Sequence, residues 1–173
     1  MDNILQVRLL KHNFKSFPAK DHYKLEYVDL NNYNTYINEL KTVIELLHEQ
    51  LEWDGIPTLE KCIDRFKSNS SCLLFYYNNN CIGWNWINKS VAFNWIDITT
   101  QLQPNELYAG GCFVSKKIKR PADAGLYDYN MFFNYCLNNI DGIDTIYGYC
   151  DIWNKAAIRV NYMCGWENFN WIK

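Results

Sequence analysis

The stretch from Leu107 to Trp166 constrains this chain more than any other, because it lays out strand, basic loop, helix, strand and helix in order. Leu107 to Ser115 has the apolar, aromatic and glycine content of a buried strand, with Gly110-Gly111 marking a local irregularity. A bulged strand exposes backbone donors. Lys116, Lys117, Lys119 and Arg120 follow, then the small residues Ala122, Ala124 and Gly125, then Leu126, Tyr129, Phe133, Cys136, Leu137 and Ile140 at helical spacing. Thr145 to Ile152 reads as a second buried strand. Asn154 to Cys164 reads as a second helix, stopped by Gly165 and Trp166.

Small residues at a helix start let an anion approach the N–H groups there, while Lys119 and Arg120 add fixed charge, a combination suited to a pyrophosphate. The same residues also fit a solvated basic turn ahead of a core helix.

Two motifs extend the argument. Arg120-x-x-Asp123-x-Gly125 resembles the pyrophosphate loop of the GCN5-related N-acetyltransferases, and Asn154-x-x-Ala157 with Gly165-Trp166 resembles that family's later helix. The resemblance covers roughly residues 70 to 170. It implies a single α/β domain over residues 1–173, with a mixed, mostly antiparallel central sheet, helices on both faces, and a strand pair splayed to admit acyl-CoA. The implied cofactor is acetyl-CoA or another acyl-CoA. It would be held by Phe113, Val114, Lys119, Arg120, Ala122, Asp123, Ala124, Gly125, Leu126, Asn154 and Ala157.

Three positions depart from the family pattern. Asp123 stands where glycine is usual, which puts a carboxylate beside a pyrophosphate unless the side chain caps the helix. Asn161 stands where many members carry a tyrosine that protonates the leaving thiolate, and Tyr162 lies one place later. Tyr162 is then the first candidate general acid, Asn161 a hydrogen-bond donor, and Asp151 or water the base. The structural alternatives are a half-buried Tyr, a helix-surface Asn and a capping Asp. Finally, only Glu167 to Lys173 follow Trp166, enough for one strand rather than the family's closing hairpin. A lone final strand with an open edge invites pairing, so a homodimer with Glu167 to Ile172 near its partner is expected.

The resemblance places the acceptor near the loop between the first two helices, about Glu49 to Pro57, which offers Glu49, Glu52, Trp53 and Asp54 and would suit a cationic amine. Trp84 and Trp86 alternate and so share one strand face. If that face is covered they are core; if it is open they could stack on a sugar or nucleobase. By analogy within the family, the expected acceptor is the amino group of a nucleotide-linked amino sugar of surface-polysaccharide synthesis. A small amine or protein amino group, or a non-catalytic module that binds CoA, a nucleotide or a partner, are the alternatives.

Elsewhere, Ile4 to Leu10 and Tyr23 to Leu30 fit strands, and Tyr36 to Leu51 and Leu59 to Phe66 fit helices. Cys72 to Tyr77 and Cys81 to Ile87 form a hairpin about an asparagine turn, and Val91 to Ile98 offers a further strand. The net charge of −2 argues against nucleic acid as a partner. No apolar run reaches membrane length and the start lacks a secretory pattern, so a cytoplasmic location is expected. Seven cysteines without a CxxC pair fit reduced core residues, and the three histidines are too scattered for a metal site.

Overall fold

The computed structural model describes residues 4–18, 20–51, 55–93 and 99–168. Strands run Ile4–Leu10 (β1), Tyr23–Val28 (β2), Ser70–Tyr77 (β3), Asn80–Asn88 (β4), Val91–Phe93 (β5), Thr99–Gln101 (β6), Glu106–Val114 (β7), Thr145–Asp151 (β8) and Glu167–Asn168 (β9). The α-helices are Ile37–Gln50 (α1), Leu59–Lys67 (α2), Ala124–Asn139 (α3) and Lys155–Met163 (α4). Seven strands form a mixed sheet in the order β2-β3-β4-β7-β8-β1-β9, and β5 pairs with β6. The chain gathers into two compact units, one of Lys20–Asn88 with Gly111–Pro121, the other of Met1–Ala19 with Lys89–Gly110 and Ala122–Lys173.

In the first unit, Asn78 and Asn79 both take positive φ, 48° and 63°, as a two-residue turn of the right twist between β3 and β4 demands. Asparagine tolerates that region better than other residues with a Cβ, which is why this pair can make the turn. Leu40, Val43 and Leu47 on α1 and Cys62 and Phe66 on α2 recur at helical spacing and join Val28, Cys72, Leu74, Trp84 and Trp86 in one core cluster. Thr58 starts α2 by accepting a hydrogen bond from the Lys61 amide at 3.3 Å. Strand β2 stops at Val28, short of the expected Leu30. Asn32 closes a turn there, accepting from the Asp29 amide at 2.9 Å and donating to the Tyr27 carbonyl at 2.9 Å.

In the second unit, β1 pairs antiparallel with β8 from Leu10↔Thr145 to Ile4↔Asp151. Strand β9 pairs with β1 through Val7↔Asn168 and Arg8↔Glu167, where the Arg8 and Glu167 side chains form an ion pair. The final strand therefore finds a partner within its own chain; residues 169–173 lie outside the described part. Gly165 takes φ +98° to end α4, and an added Cβ would sit 2.0 Å from the Asn13 carbonyl oxygen. Trp166 then packs over Gly148 and against Phe133, 5.0 Å between ring centroids. The strand expected over Val91 to Ile98 is β5 for its first three residues, and 94–98 are outside the described residues.

All seven cysteines are free thiols. Burial pushes the Cys62 thiol up to about 11 and the Cys81 thiol up to about 12. An unfolded thiol ionises near 9, so folding stability is intact below that pH and is lost as pH rises through the folded values. Urea midpoints should hold steady up to about pH 9 and fall between 9 and 11; a flat midpoint across that window would show that these thiols stay exposed to water. Packing gives a second expectation. A Cβ on Gly83 would lie 2.1 Å from the Phe113 carbonyl oxygen, which is backbone and cannot step aside cheaply. Gly83→Ala should cost ~1–3 kcal/mol or more in urea unfolding.

Candidate functional site

Strand β7 pairs in parallel with β8 through Glu106↔Thr145, Leu107↔Ile146 and Tyr108↔Tyr147. Strand β8 continues to Asp151 and stays paired with β1 to that point. Beyond Tyr147, among the described residues, β8 keeps its β1 ladder while its ladder to β7 has ended. The ladder stops just short of Gly110-Gly111, where Gly111 takes φ +67°. A residue in the left-handed region breaks the alternation that pairing needs, as a bulge does. Strand backbone that loses its neighbour must find other hydrogen-bond partners, and a ligand can supply them.

Past the bulge, β7 is regular again. The Phe113 carbonyl lies against Gly83 of β4, and the Ser115 amide donates to the Ile82 carbonyl at 2.8 Å. Alternation along a strand then directs the Val114 N–H away from β4. Ser115 is fully buried and starts the basic loop. Gln50, the last residue of α1, fixes that start with two hydrogen bonds and is braced by a third within its own helix. Its Nε2 donates to Ser115 Oγ at 2.8 Å and to the Leu46 carbonyl at 3.1 Å, and its Oε1 accepts from the Lys116 amide at 2.8 Å. The Lys117 amide donates to the same Ser115 hydroxyl at 3.2 Å, and Lys117 Nζ pairs with Glu49 at 2.6 Å. Lys119 is exposed and Arg120 half-buried.

In the other unit, α3 opens at Ala124 with Asp123 at the N-cap position. The Asp123 side chain makes no capping hydrogen bond, so the expected remedy for its charge is not used; its carbonyl instead accepts from the Leu126 amide at 3.0 Å. That engages Leu126 and leaves the Ala124 and Gly125 N–H groups as first-turn donors, which a helix cannot satisfy internally. Ala122 and Asp123 are exposed and Ala124 is buried. A Cβ built on Gly125 would meet nothing within 4 Å, so the space over this turn is open.

Asn154 caps α4, its Oδ1 accepting from the Ala157 amide at 3.1 Å. One turn on, Asn161 points inward, 6% exposed, with Nδ2 donating weakly to Cys150 Sγ of β8 at 3.8 Å. Its Oδ1 is buried and has no partner among the described residues. Tyr162 points outward, 42% exposed, with its hydroxyl bonded to Asn168. One helical step is about 100° of rotation, so only one of the two can face β8. The structure orders them opposite to the sequence expectation: Asn161 reaches the strand and Tyr162 faces away. Asp151 serves a turn, its carboxylate accepting from the Trp153 amide at 2.9 Å.

The acceptor expectations change as well. Trp84 and Trp86 are 2% and 0% exposed and lie in the core cluster, so the face they share is covered and offers no stacking surface. Glu49 is committed to Lys117. Glu52, Trp53 and Asp54 lie outside the described residues. The clamp by Gln50 went unforeseen, since a glutamine at a helix end gives no sign of a serine so far along the chain. Among the described residues, no cluster of three or more His, Cys, Asp or Glu could hold a metal ion, and no helix is long and apolar enough to cross a membrane.

No protein-family model matches the sequence, and no curated protein matches it. Solved structures do match in shape. A GCN5-related N-acetyltransferase from Kribbella flavida aligns over 96% of this chain and 55% of its own, with a TM-score of 0.58 at 9% identity. The tandem GNAT protein from the clavulanic acid biosynthesis pathway aligns over 98% of this chain and 51% of its own, with a TM-score of 0.62 at 11% identity. AAC(6')-Iy, solved with a bisubstrate analogue, CoA-S-monomethyl-acetylneamine, aligns over 88% and 96%, with a TM-score of 0.58 at 11% identity. The fold is that of the GCN5-related N-acetyltransferases. The chain spans between 48% and 58% of the first four structures it matches.

Within this acetyltransferase fold, the Gln50 clamp is the part most open to direct test. Gln50→Leu removes hydrogen bonds to a buried hydroxyl and to a backbone amide, and should cost ~1–3 kcal/mol. Hydrogen exchange at the Lys116 and Lys117 amides should accelerate in the variant; unchanged protection would mean that the loop is held by other contacts.

Proposed function

We propose that the protein is an acyl-CoA-dependent N-acyltransferase acting on a primary amine. The observation that carries this reading is the end of the β7–β8 ladder at Tyr108↔Tyr147 while β8 runs on to Asp151, within a fold shared with acetyltransferases. Each unit by itself carries features that suit an acyl-CoA. The turn over Gly125 is open, the Val114 N–H is directed off the β4 edge, and Asn161 holds a buried oxygen that lacks a donor. The CoA-linked analogue bound by AAC(6')-Iy supports carrying that cofactor class over.

A bound acyl-CoA supplies an activated thioester. As the sequence resemblance implies, Lys119 and Arg120 would provide charge for its pyrophosphate, and the Ala124 and Gly125 N–H groups would provide directed donors. The Val114 N–H would polarise the acyl carbonyl by donating to its oxygen. Asn161 Oδ1, buried without a donor, would accept an N–H from the pantetheine arm, and Asn154 caps the helix that carries it. With Tyr162 turned to Asn168 and Asp151 to the Trp153 amide, neither of these candidates is placed as proton donor, and the proton released by the amine would go to water. A thiol with reference pKa about 8.5 leaves at neutral pH with modest help, so a dedicated acid is dispensable.

The stacking argument for a nucleotide-linked amino sugar lapses with Trp84 and Trp86 buried, so the acceptor is proposed here as a primary amine. Calorimetric titration of CoA and acetyl-CoA, with adenosine triphosphate as control, tests the donor. Arg120→Ala should weaken CoA binding by about 1.5–3 kcal/mol, the usual worth of a charge-assisted hydrogen bond. A folded wild-type protein that takes up no CoA would end the enzyme reading.

A further inference from the structure

Trp153 is out of place as a core residue. It is 70% exposed, whereas Trp84, Trp86 and Trp166 are 2%, 0% and 5% exposed. Tryptophans are highly buried on average because the ring carries a large apolar area, so one left in water is the informative exception. The backbone beneath it is held firmly. The Trp153 amide donates to the Asp151 carboxylate at 2.9 Å, and the Trp153 carbonyl accepts from the Lys155 amide at 2.9 Å. The Asn154 amide donates to the Asp151 carbonyl at 2.9 Å, and the Asn154 side chain caps α4. Both backbone groups of Trp153 are thus engaged, and the turn they fix carries a flat apolar ring out into solvent. Only the two side-chain torsions of the indole remain to be ordered when a partner stacks on it.

Strand direction fixes the end of this unit at which the ring stands. Strands β7 and β8 run parallel from Glu106↔Thr145 to Tyr108↔Tyr147, and a helix follows each, α3 from Ala124 and α4 from Lys155. The chain leaves both strands of such a pair at their carboxyl ends, so both helices start at that end. The Ala124 and Gly125 N–H groups, proposed above as pyrophosphate donors, and the Trp153 turn therefore open on the same end. Beyond its pyrophosphate an acyl-CoA carries adenosine, while the thioester lies at the far end of the pantetheine arm. Trp153 is thus at the nucleotide end. Lys155 and Arg159, exposed and one helical turn apart on α4, give the surface that follows the ring a positive charge suited to phosphates. Asp151, the acid of the turn, has its carboxylate on the Trp153 amide.

We propose that Trp153 is the platform on which the adenine ring of acyl-CoA stacks. The inference rests on the acyl-CoA reading and adds to it a residue that neither family motif contains, one that holds the cofactor by its base. A purine presents a π-face to an indole, and stacking needs no hydrogen-bond partner, so an exposed ring can do it without a pocket. Removing a stack of this kind weakens binding on the order of fivefold to a hundredfold.

Calorimetric titration of CoA and of acetyl-pantetheine into wild type, Trp153→Ala and Trp153→Phe tests it. CoA affinity should fall about fivefold to a hundredfold in Trp153→Ala and largely recover in Trp153→Phe, while acetyl-pantetheine, which has no base, binds all three alike. CoA bound as tightly by Trp153→Ala as by wild type, with native circular dichroism in both, would overturn the proposal and leave the acyl-CoA reading standing. An equal loss for acetyl-pantetheine would also overturn it, since the ring would then serve the arm. Adenosine 3′,5′-bisphosphate separates the remaining cases through indole fluorescence. If CoA fails to bind, a saturable quench by the bisphosphate that disappears in Trp153→Phe supports an adenine platform without the enzyme. Neither quench nor CoA binding in the folded wild type rejects both.

Discussion

Strand β7 is the constraint on which the site depends, because its two ends obey different partners. Its first residues are locked in a parallel ladder with β8, and its last residues press so closely on β4 that Gly83 has no room for a methyl group. A uniform strand would carry one alternation from end to end. Gly111, at φ +67°, interrupts it between those two stretches. A glycine is needed there because a residue with a Cβ is strained in that region.

Much of the architecture is legible from local rules. The Asn78-Asn79 turn, the apolar stripes of α1 and α2, the Asn154 cap and the Gly165 stop are each short-range features whose physical cause lies within a few residues. Pairing over long separations is less legible. The β5–β6 pair rests on three residues a side, too few for a periodic signal. The capture of β9 by β1 depends on residues at opposite ends of the chain, Arg8 and Glu167 among them, and no local pattern announces it.

The site was legible in its parts and less so in its orientations. Gly110-Gly111, the basic loop and the open start of α3 can all be located from residue type and order. Choosing between Asn161 and Tyr162 cannot, since it turns on which side of α4 faces β8, and a tyrosine is as able to sit outside as inside. Trp84 and Trp86 show the same problem for a strand: alternation puts them together, but only α1 and α2, lying over them, decide that they are core.

The Gln50 clamp has a consequence for how the loop would meet an anion. A run of four cations with no attachment would repel itself, sample many conformations, and lose that entropy when a ligand arrived. Here the first two residues of the run are already fastened to the end of α1, by the Lys116 amide on Gln50 and by the Lys117 ammonium on Glu49. Part of the ordering is done during folding, so any anion affinity at Lys119 and Arg120 would depend on a glutamine at the end of α1. Preorganisation of the loop is a property of helix α1 as much as of the cations themselves.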